Sequence, residues 1–390
     1  MPWKEHDVTQ ERFRFIEQWN SQAWSMAELC RWFGVTRKTG YKWVERYQGA
    51  GLDGLRDLSR AALQHPNATG AETESRIVEL RGEHPHWGAR KIRACLLRQL
   101  PHYTVPAHST IGAILKANGL TVVPKRRRKA RPSEQPLAHA TAANTVWCAD
   151  FKGWFRTRDQ ERIDPLTITD AYSRYLLRCQ AVLAADTTHS QPVFEAAFRE
   201  FGLPQRIRTD NGAPFASNSE SGLSRLSVWW IKLGIQPERI RPGQPQQNGR
   251  HERMHRTLKQ ATAHPPAANR RAQQRRFDAF RREYNEDRPH QALDQATPGS
   301  LYQPSRREHP LRLAPVEYPE TWQVRKVAGG GQIRWHGEMI FLAHALAYEP
   351  VGLEQVEERV WRVWFCDYQV GVLDEASRLR RPDRWKRREP

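Results

Sequence analysis

Residues 206–215 read RIRTDNGAPF. Ile207 between two arginines predicts a short half-buried strand that stops at Asp210, and Asn211-Gly212-Ala213-Pro214 predicts the turn that follows. A carboxylate where a strand gives way to a loop is placed to hold a metal ion at a sheet's edge. Asp-Asn-Gly is equally ordinary turn chemistry, so the meaning of the stretch depends on its surroundings.

The chain has 390 residues, too many for one typical core, which predicts two to four domains. Its 62 Lys and Arg outnumber 43 Asp and Glu, leaving a formal net charge of +19. A surplus of that size points to a polyanionic partner, nucleic acid above all. Five cysteines stand singly, without CxxC or CxxH spacing, which argues against a disulfide framework and a zinc site and suits a reducing compartment. No apolar run reaches membrane-spanning length and MPWKEHDVTQ lacks a signal-peptide core, so the expectation is a soluble, intracellular protein.

Upstream, residues 11–50 show helical spacing. Phe13, Ile16 and Trp19 form one apolar stripe, and Met26, Leu29, Trp32 and Phe33 a second. After Gly34, Thr36 caps a helix carrying Arg37, Lys38, Lys42 and Arg46, with Tyr41, Trp43 and Val44 as candidates for its buried face. This is a helix-turn-helix pattern, expected over residues 1–60, with 49–60 as a linker or arm. A second helical module, helix-turn-helix or winged helix, is expected over residues 70–122. It has a basic middle helix starting near Gly88 (Arg90, Lys91, Arg93, Arg98) and a further helix at 110–118. Residues 123–143 read as a basic linker whose Lys125, Arg126, Arg127 and Arg128 track phosphates.

From residue 144 the pattern turns to strands. The runs 145–155, 162–169 and 175–181 predict an antiparallel meander, then a helix at 187–201, a strand at 206–209, a helix at 223–233 and a short strand at 235–240. That is an α+β mixed sheet of five strands. A polar helix at 246–262 follows, and a helix from 270 to 287 has Phe277, Phe280 and Tyr284 on one face. Residues 318–375 alternate as several short strands, predicting a small SH3-like β-barrel, and 376–390 form a basic tail.

Three carboxylates stand out: Asp150 in mid-strand, Asp210, and Glu252 on the basic helix. A carboxylate inside an apolar strand is costly unless paired or metal-bound. Three that converge suit two Mg²⁺ (or Mn²⁺) ions, able to activate water or a hydroxyl at a phosphodiester. Asp170 in TDAYSRY reads instead as a structural turn residue. Lys152 is placed to contact a substrate phosphate. Gln247, Asn248, Arg250, Arg253, His255, Arg256 and Lys259 line a helix that would meet the DNA backbone.

The set WCADFKG, RTDNGAPF and PGQPQQNGRHERMHRTLK, with the later block YNEDRPHQALDQATPGSLYQPS, resembles the DDE core of insertion-sequence transposases related to retroviral integrases. The resemblance covers nearly the whole chain. It places the three metal-binding carboxylates at Asp150, Asp210 and Glu252, with 59 and 41 residues between them. It implies an RNase H-like core over residues 144–305, divalent-metal dependence, and cleavage and strand transfer of double-stranded DNA ends by a homo-oligomer, dimer or tetramer. The retroviral His/Cys zinc module is absent, and helix-turn-helix modules stand in its place. The competing reading is a non-catalytic DNA-binding regulator derived from such a transposase.

Overall fold

Three short helices open the chain: α1 (Val8–Asn20), α2 (Met26–Trp32) and α3 (Arg37–Ala50). They belong to the first of two compact units, Met1–Gly70 and Ala71–Pro390, of a computed structural model that describes residues 8–59, 68–100, 104–121, 137–217, 219, 221–240, 249–374 and 379–380. Ser25 and Glu28 form a capping box at the start of α2, and the Thr36 hydroxyl accepts the Thr39 amide at the start of α3, so both starts are fixed by satisfied amides. The core is Phe15, Ile16, Leu29, Cys30, Val44 and Leu55.

Some of the expected faces differ. Phe13 and Tyr41 are exposed, and Trp32 turns outward onto Trp24 at 5.5 Å, because the crossing of α3 over α2 is set by Gly40. A Cβ there would stand 2.6 Å from the Cys30 sulfur. The stretch expected to be an arm folds instead as a 3-10 turn, Gly51–Leu55, which buries Leu55 completely.

The second unit begins with α4 (Ala71–Glu83), α5 (Ala89–Gln99) and α6 (His108–Ala117), packed around Ile77, Leu80, Trp87, Ile92, Leu96, Ile111 and Leu115. Gly88 is the N-cap of α5. Helix α6 begins two residues earlier than expected and its N-cap, Ala107, makes no side-chain bond.

The central sheet contains β1 (Val146–Phe151), β2 (Phe155–Arg156), β3 (Arg162–Asp170), β4 (Leu176–Val182), β5 (Arg206–Thr209) and β6 (Gln236–Arg239). The six strands exceed the five expected because the run 145–155 breaks after Phe151, at Gly153 with φ +86°. β1, β3 and β4 form the antiparallel meander, and β5 and β6 add to the other side of β1 in parallel.

Alternation along the strands sorts the faces. Trp147, Ala149, Leu166, Ile168 and Ile207 pack with α7 (Thr187–Phe201) and α8 (Arg225–Lys232). The opposite face carries α9 (Gly249–Thr262) and α10 (Arg270–Arg282), through Met254, Leu258, Phe277 and Phe280. Helix α10 also closes the outer edge of the sheet. Gln274 bonds the Ala181 amide and Cys179 carbonyl, Arg281 bonds the Leu177 carbonyl, and Asn285 bonds both backbone groups of Leu176. Edge groups of β4 that would otherwise template a foreign strand are thereby occupied.

After the short α11 (Pro298–Leu301), the chain is β-rich: β7 (Gln323–Lys326), β8 (Gln332–Trp335), β9 (Glu338–Phe341), β10 (Pro350–Glu357), β11 (Val360–Phe365), β12 (Tyr368–Leu373) and β13 (Leu379–Arg380). Five of these strands make one antiparallel sheet, and β8 with β9 makes a hairpin. Their shared core also takes in Leu223, Val228 and Ile231, so this β-rich part packs on α8. All five cysteines are free thiols. Among the described residues no helix is long and apolar enough to cross a membrane.

Candidate active site

Strands β1 and β5 are neighbours in parallel, and Val146, Trp147 and Cys148 face Arg206, Ile207 and Arg208. Carrying that register forward sets Asp150 beside Asp210, at the carboxyl ends of two strands about 4.8 Å apart. Both lie on the α9 face, since Trp147, Ala149 and Ile207 take the other. Asp210 also serves the turn, because its Oδ1 accepts the Gly212 amide at 3.1 Å while Asn211 donates to the Ile240 carbonyl at 3.0 Å. The two readings of RIRTDNGAPF are therefore compatible: one carboxylate oxygen shapes the loop and the residue stands beside Asp150.

Helix α9 lies against Asp150 through a pair of histidines. His251 and His255, one turn apart, direct their Nε2 atoms at the Thr167 hydroxyl, at 2.9 and 2.7 Å. Thr167 is the β3 residue opposite Asp150 and donates to its carbonyl oxygen at 3.1 Å. A hydroxyl has one proton and two lone pairs, so with that proton on Asp150 O both imidazoles donate from Nε2. Burial pushes the His251 pKa down to about 4 and that of His255 to about 2, the latter helped by His251 and Lys152, which keeps both rings neutral. His255 Nδ1 stands 3.9 Å from Asp150 Oδ2.

His255 is thus turned into the protein and not toward solvent, contrary to its expected place on a DNA-facing side. The reason is the stripe His251, Met254, His255 and Leu258, which buries that face of α9. Neither Thr167 nor His251 stood out in the sequence. Their one visible signal was the His-x-x-x-His spacing flanking Glu252.

Glu252 lies in the first turn of α9 and is exposed. Among the described residues no group of three or more His, Cys, Asp or Glu is gathered to hold a metal ion. Glu252 is on the exposed part of α9, whereas His251, Met254, His255 and Leu258 of the same helix are buried. Two carboxylates in register still offer the hard oxygen donors that suit a divalent cation such as Mg²⁺.

The basic residues divide by environment. Lys152, half-buried, has its pKa lowered by burial and by the charge of Lys259. Arg253, Arg256 and Lys259 are exposed on α9, and Arg250 donates to the Ala171 carbonyl at 3.1 Å. In the first unit Arg37, Lys38 and Lys42 are exposed on α3, whereas Arg46 is committed to the fold, bonded to the Arg56 carbonyl and lying 4.7 Å from the Trp43 ring. Arg90 is exposed on α5. Lys91 is half-buried, with a pKa lowered to about 7 by burial and by Arg288. Lys125, Arg126, Arg127, Arg128, Gln247 and Asn248 lie outside the described residues. Asp170 is fully buried and accepts from the Asn144 amide and from the Ser173 amide and hydroxyl, which makes it the structural turn residue expected.

Comparison with known proteins defines the class. Two integrase core domain families match residues 140–245 and 233–298. A helix-turn-helix domain family matches 11–62, a homeodomain-like domain family 39–115, and the C-terminal domain of IS481 family transposases 322–379. The chain is 28% identical over 257 residues to a 31.7 kDa protein of insertion element IS407 from Burkholderia multivorans, covering 63% of this chain and 86% of that one. It is 27% identical over 253 residues to a 39.2 kDa protein of insertion element IS476 from Xanthomonas euvesicatoria, covering 63% and 70%.

Among solved structures, the catalytic core of HTLV-2 integrase in complex with magnesium is 14% identical at a TM-score of 0.33, covering 42% of this chain and 98% of that one. The chain of a simian T-cell lymphotropic virus intasome is 15% identical at 0.37, covering 80% and 99%. The protein has helix-turn-helix domains, an integrase-type mixed-sheet core and a β-rich C-terminal region, the organisation of an integrase-core protein. These matches support an insertion-sequence transposase with such a core.

Proposed function

We propose that the protein binds the terminal inverted repeats of an insertion sequence, cleaves the 3′ ends and joins them to target DNA. The observation that carries this reading is the parallel register of β1 and β5, whose continuation brings Asp150 and Asp210 side by side on the face that α9 covers. In this reading Asp150, Asp210 and Glu252 would hold two Mg²⁺ (or Mn²⁺) ions, and such ions would supply Lewis-acid polarisation of the scissile phosphate and lower the pKa of the attacking water or 3′ hydroxyl.

The chain's own groups position the reactants. Lys152 and Lys259 bring positive charge to the scissile phosphate, and Arg250, Arg253 and Arg256 follow the backbone along α9. Thr167, held by two neutral imidazoles, fixes the height of Asp150 on its strand. Arg37, Lys38 and Lys42 on α3, with Arg90 and Lys91 on α5, are assigned to recognition of the repeat. Lys125 to Arg128 are assigned to phosphate contact between that module and the core. The six-stranded core is read as RNase H-like and residues 318–375 as an SH3-like barrel that binds DNA or assists assembly. Joining two ends requires at least a pair of subunits, so a dimer or tetramer forms on DNA.

The test is incubation of the full-length protein, with Mg²⁺, a labelled terminal-repeat duplex and a supercoiled plasmid. Nicking at the repeat's 3′ end followed by label in the plasmid is expected. Binding of the repeat without either product would contradict the reading.

A further inference from the structure

The β3–β4 turn carries a cation that the catalytic reading leaves unused. Arg174 takes a left-handed backbone, φ +65°, a conformation that costs a side chain other than Gly or Asn. Its guanidinium is half-buried, and its Nε is fully buried with no hydrogen-bond partner among the described residues. Burial, and then the like charge of Arg250 at the start of α9, lower its pKa to about 10 against smaller opposing contributions from Tyr284 and Cys148. Arg174 and Arg250 line one cavity of about 30 Å³ with Asp170, His251, Met254 and Tyr284. Asp170 gives them no counter-charge contact in the hydrogen-bond pattern, since its carboxylate oxygens are taken by Asn144 and Ser173. Tyr284 stays neutral, its pKa pushed up to about 12 by burial.

Two guanidiniums on one cavity, one with an orphaned buried nitrogen, form an arrangement that an anion would satisfy. The fork geometry of Arg matches a phosphate's oxygens. The cavity admits a single oxygen-sized group, so the phosphate sits at its mouth.

We propose that Arg174, together with Arg250, forms a binding site for one backbone phosphate of the DNA, beside the α9 end of the active site. The proposal rests on the reading of the substrate as DNA but not on catalysis, and its test is run without metal. The full-length protein is titrated against a labelled duplex in EDTA by fluorescence anisotropy, across a series of salt concentrations. Arg174→Gln is expected to weaken binding about tenfold and to reduce the slope of log K against log salt by about 1. Arg199→Gln, an exposed residue of α7 paired with Glu195, is expected to change neither.

Thermal unfolding of the free protein separates a binding role from a structural one. Removing an unsatisfied, self-repelling cation leaves the melting temperature of Arg174→Gln equal to or above that of the parent. An unchanged slope overturns the proposal, whether or not the melting temperature falls. If Arg174→Gln does not fold, Arg174→Lys decides: it keeps the charge and is expected to keep the slope, and a slope lowered by about 1 in that variant overturns the site. Loss of strand transfer with binding intact would count against the catalytic reading alone.

Discussion

Thr167 shows how much depends on one hydroxyl. It bridges the carbonyl of Asp150 and two buried imidazoles, at three distances of 3.1 Å or less. Thr167→Val keeps the shape and removes every one of these bonds, leaving two ring nitrogens unsatisfied. A loss of about 2–4 kcal/mol is expected, read as a lower denaturant midpoint at constant slope. His290 offers a second test at this scale. Burial, with the charges of Lys91 and Arg288, lowers its pKa to about 3 from an ordinary value near 6.5, and its Nε2 has no partner among the described residues. Between those values the unfolded chain binds the extra proton, so stability is full above about pH 6.5 and falls as pH drops toward 3. His290→Gln is expected to flatten that loss by about 2 kcal/mol at pH 5, seen as a shallower fall of melting temperature on acidification.

At the scale of elements, β4 depends on the side chains that close its edge. Asn285 alone satisfies both the amide and the carbonyl of Leu176, at 2.8 and 3.0 Å. Asn285→Ala is expected to cost about 2–3 kcal/mol and to expose the Leu176 amide to faster hydrogen exchange. Most of these elements were legible in the sequence. The helix 187–201, the strand 206–209 and the Thr36 cap fall where the pattern of apolar and capping residues put them. Elements set by tertiary packing were not. Apolar spacing alone marks Trp32 and Tyr41 as core, and only the close approach at Gly40 decides that they face solvent. The break that creates β2 hangs on one positive-φ glycine, which strand propensity does not register.

For the whole molecule, the net charge of +19 and the order of modules gave the functional class, while the site itself was only half legible. The adjacency of Asp150 and Asp210 follows from carrying forward the parallel register of β1 and β5, a strand pairing that alternating runs alone do not specify. The inward face of α9 does not follow from its sequence. His251 and His255 resemble a polar surface until Thr167 is seen beneath them, and their burial is what leaves Glu252 exposed.

The most direct measurement compares joining of a labelled terminal repeat to plasmid DNA by the parent, Asp150→Asn, Asp210→Asn and Glu252→Gln, with duplex affinity measured on the same preparations. Each substitution is expected to reduce joined product at least about a hundredfold while leaving affinity within about twofold, since none removes a cation that meets phosphate. Near-parental joining by any one of the three would contradict the assignment of these carboxylates to the reaction.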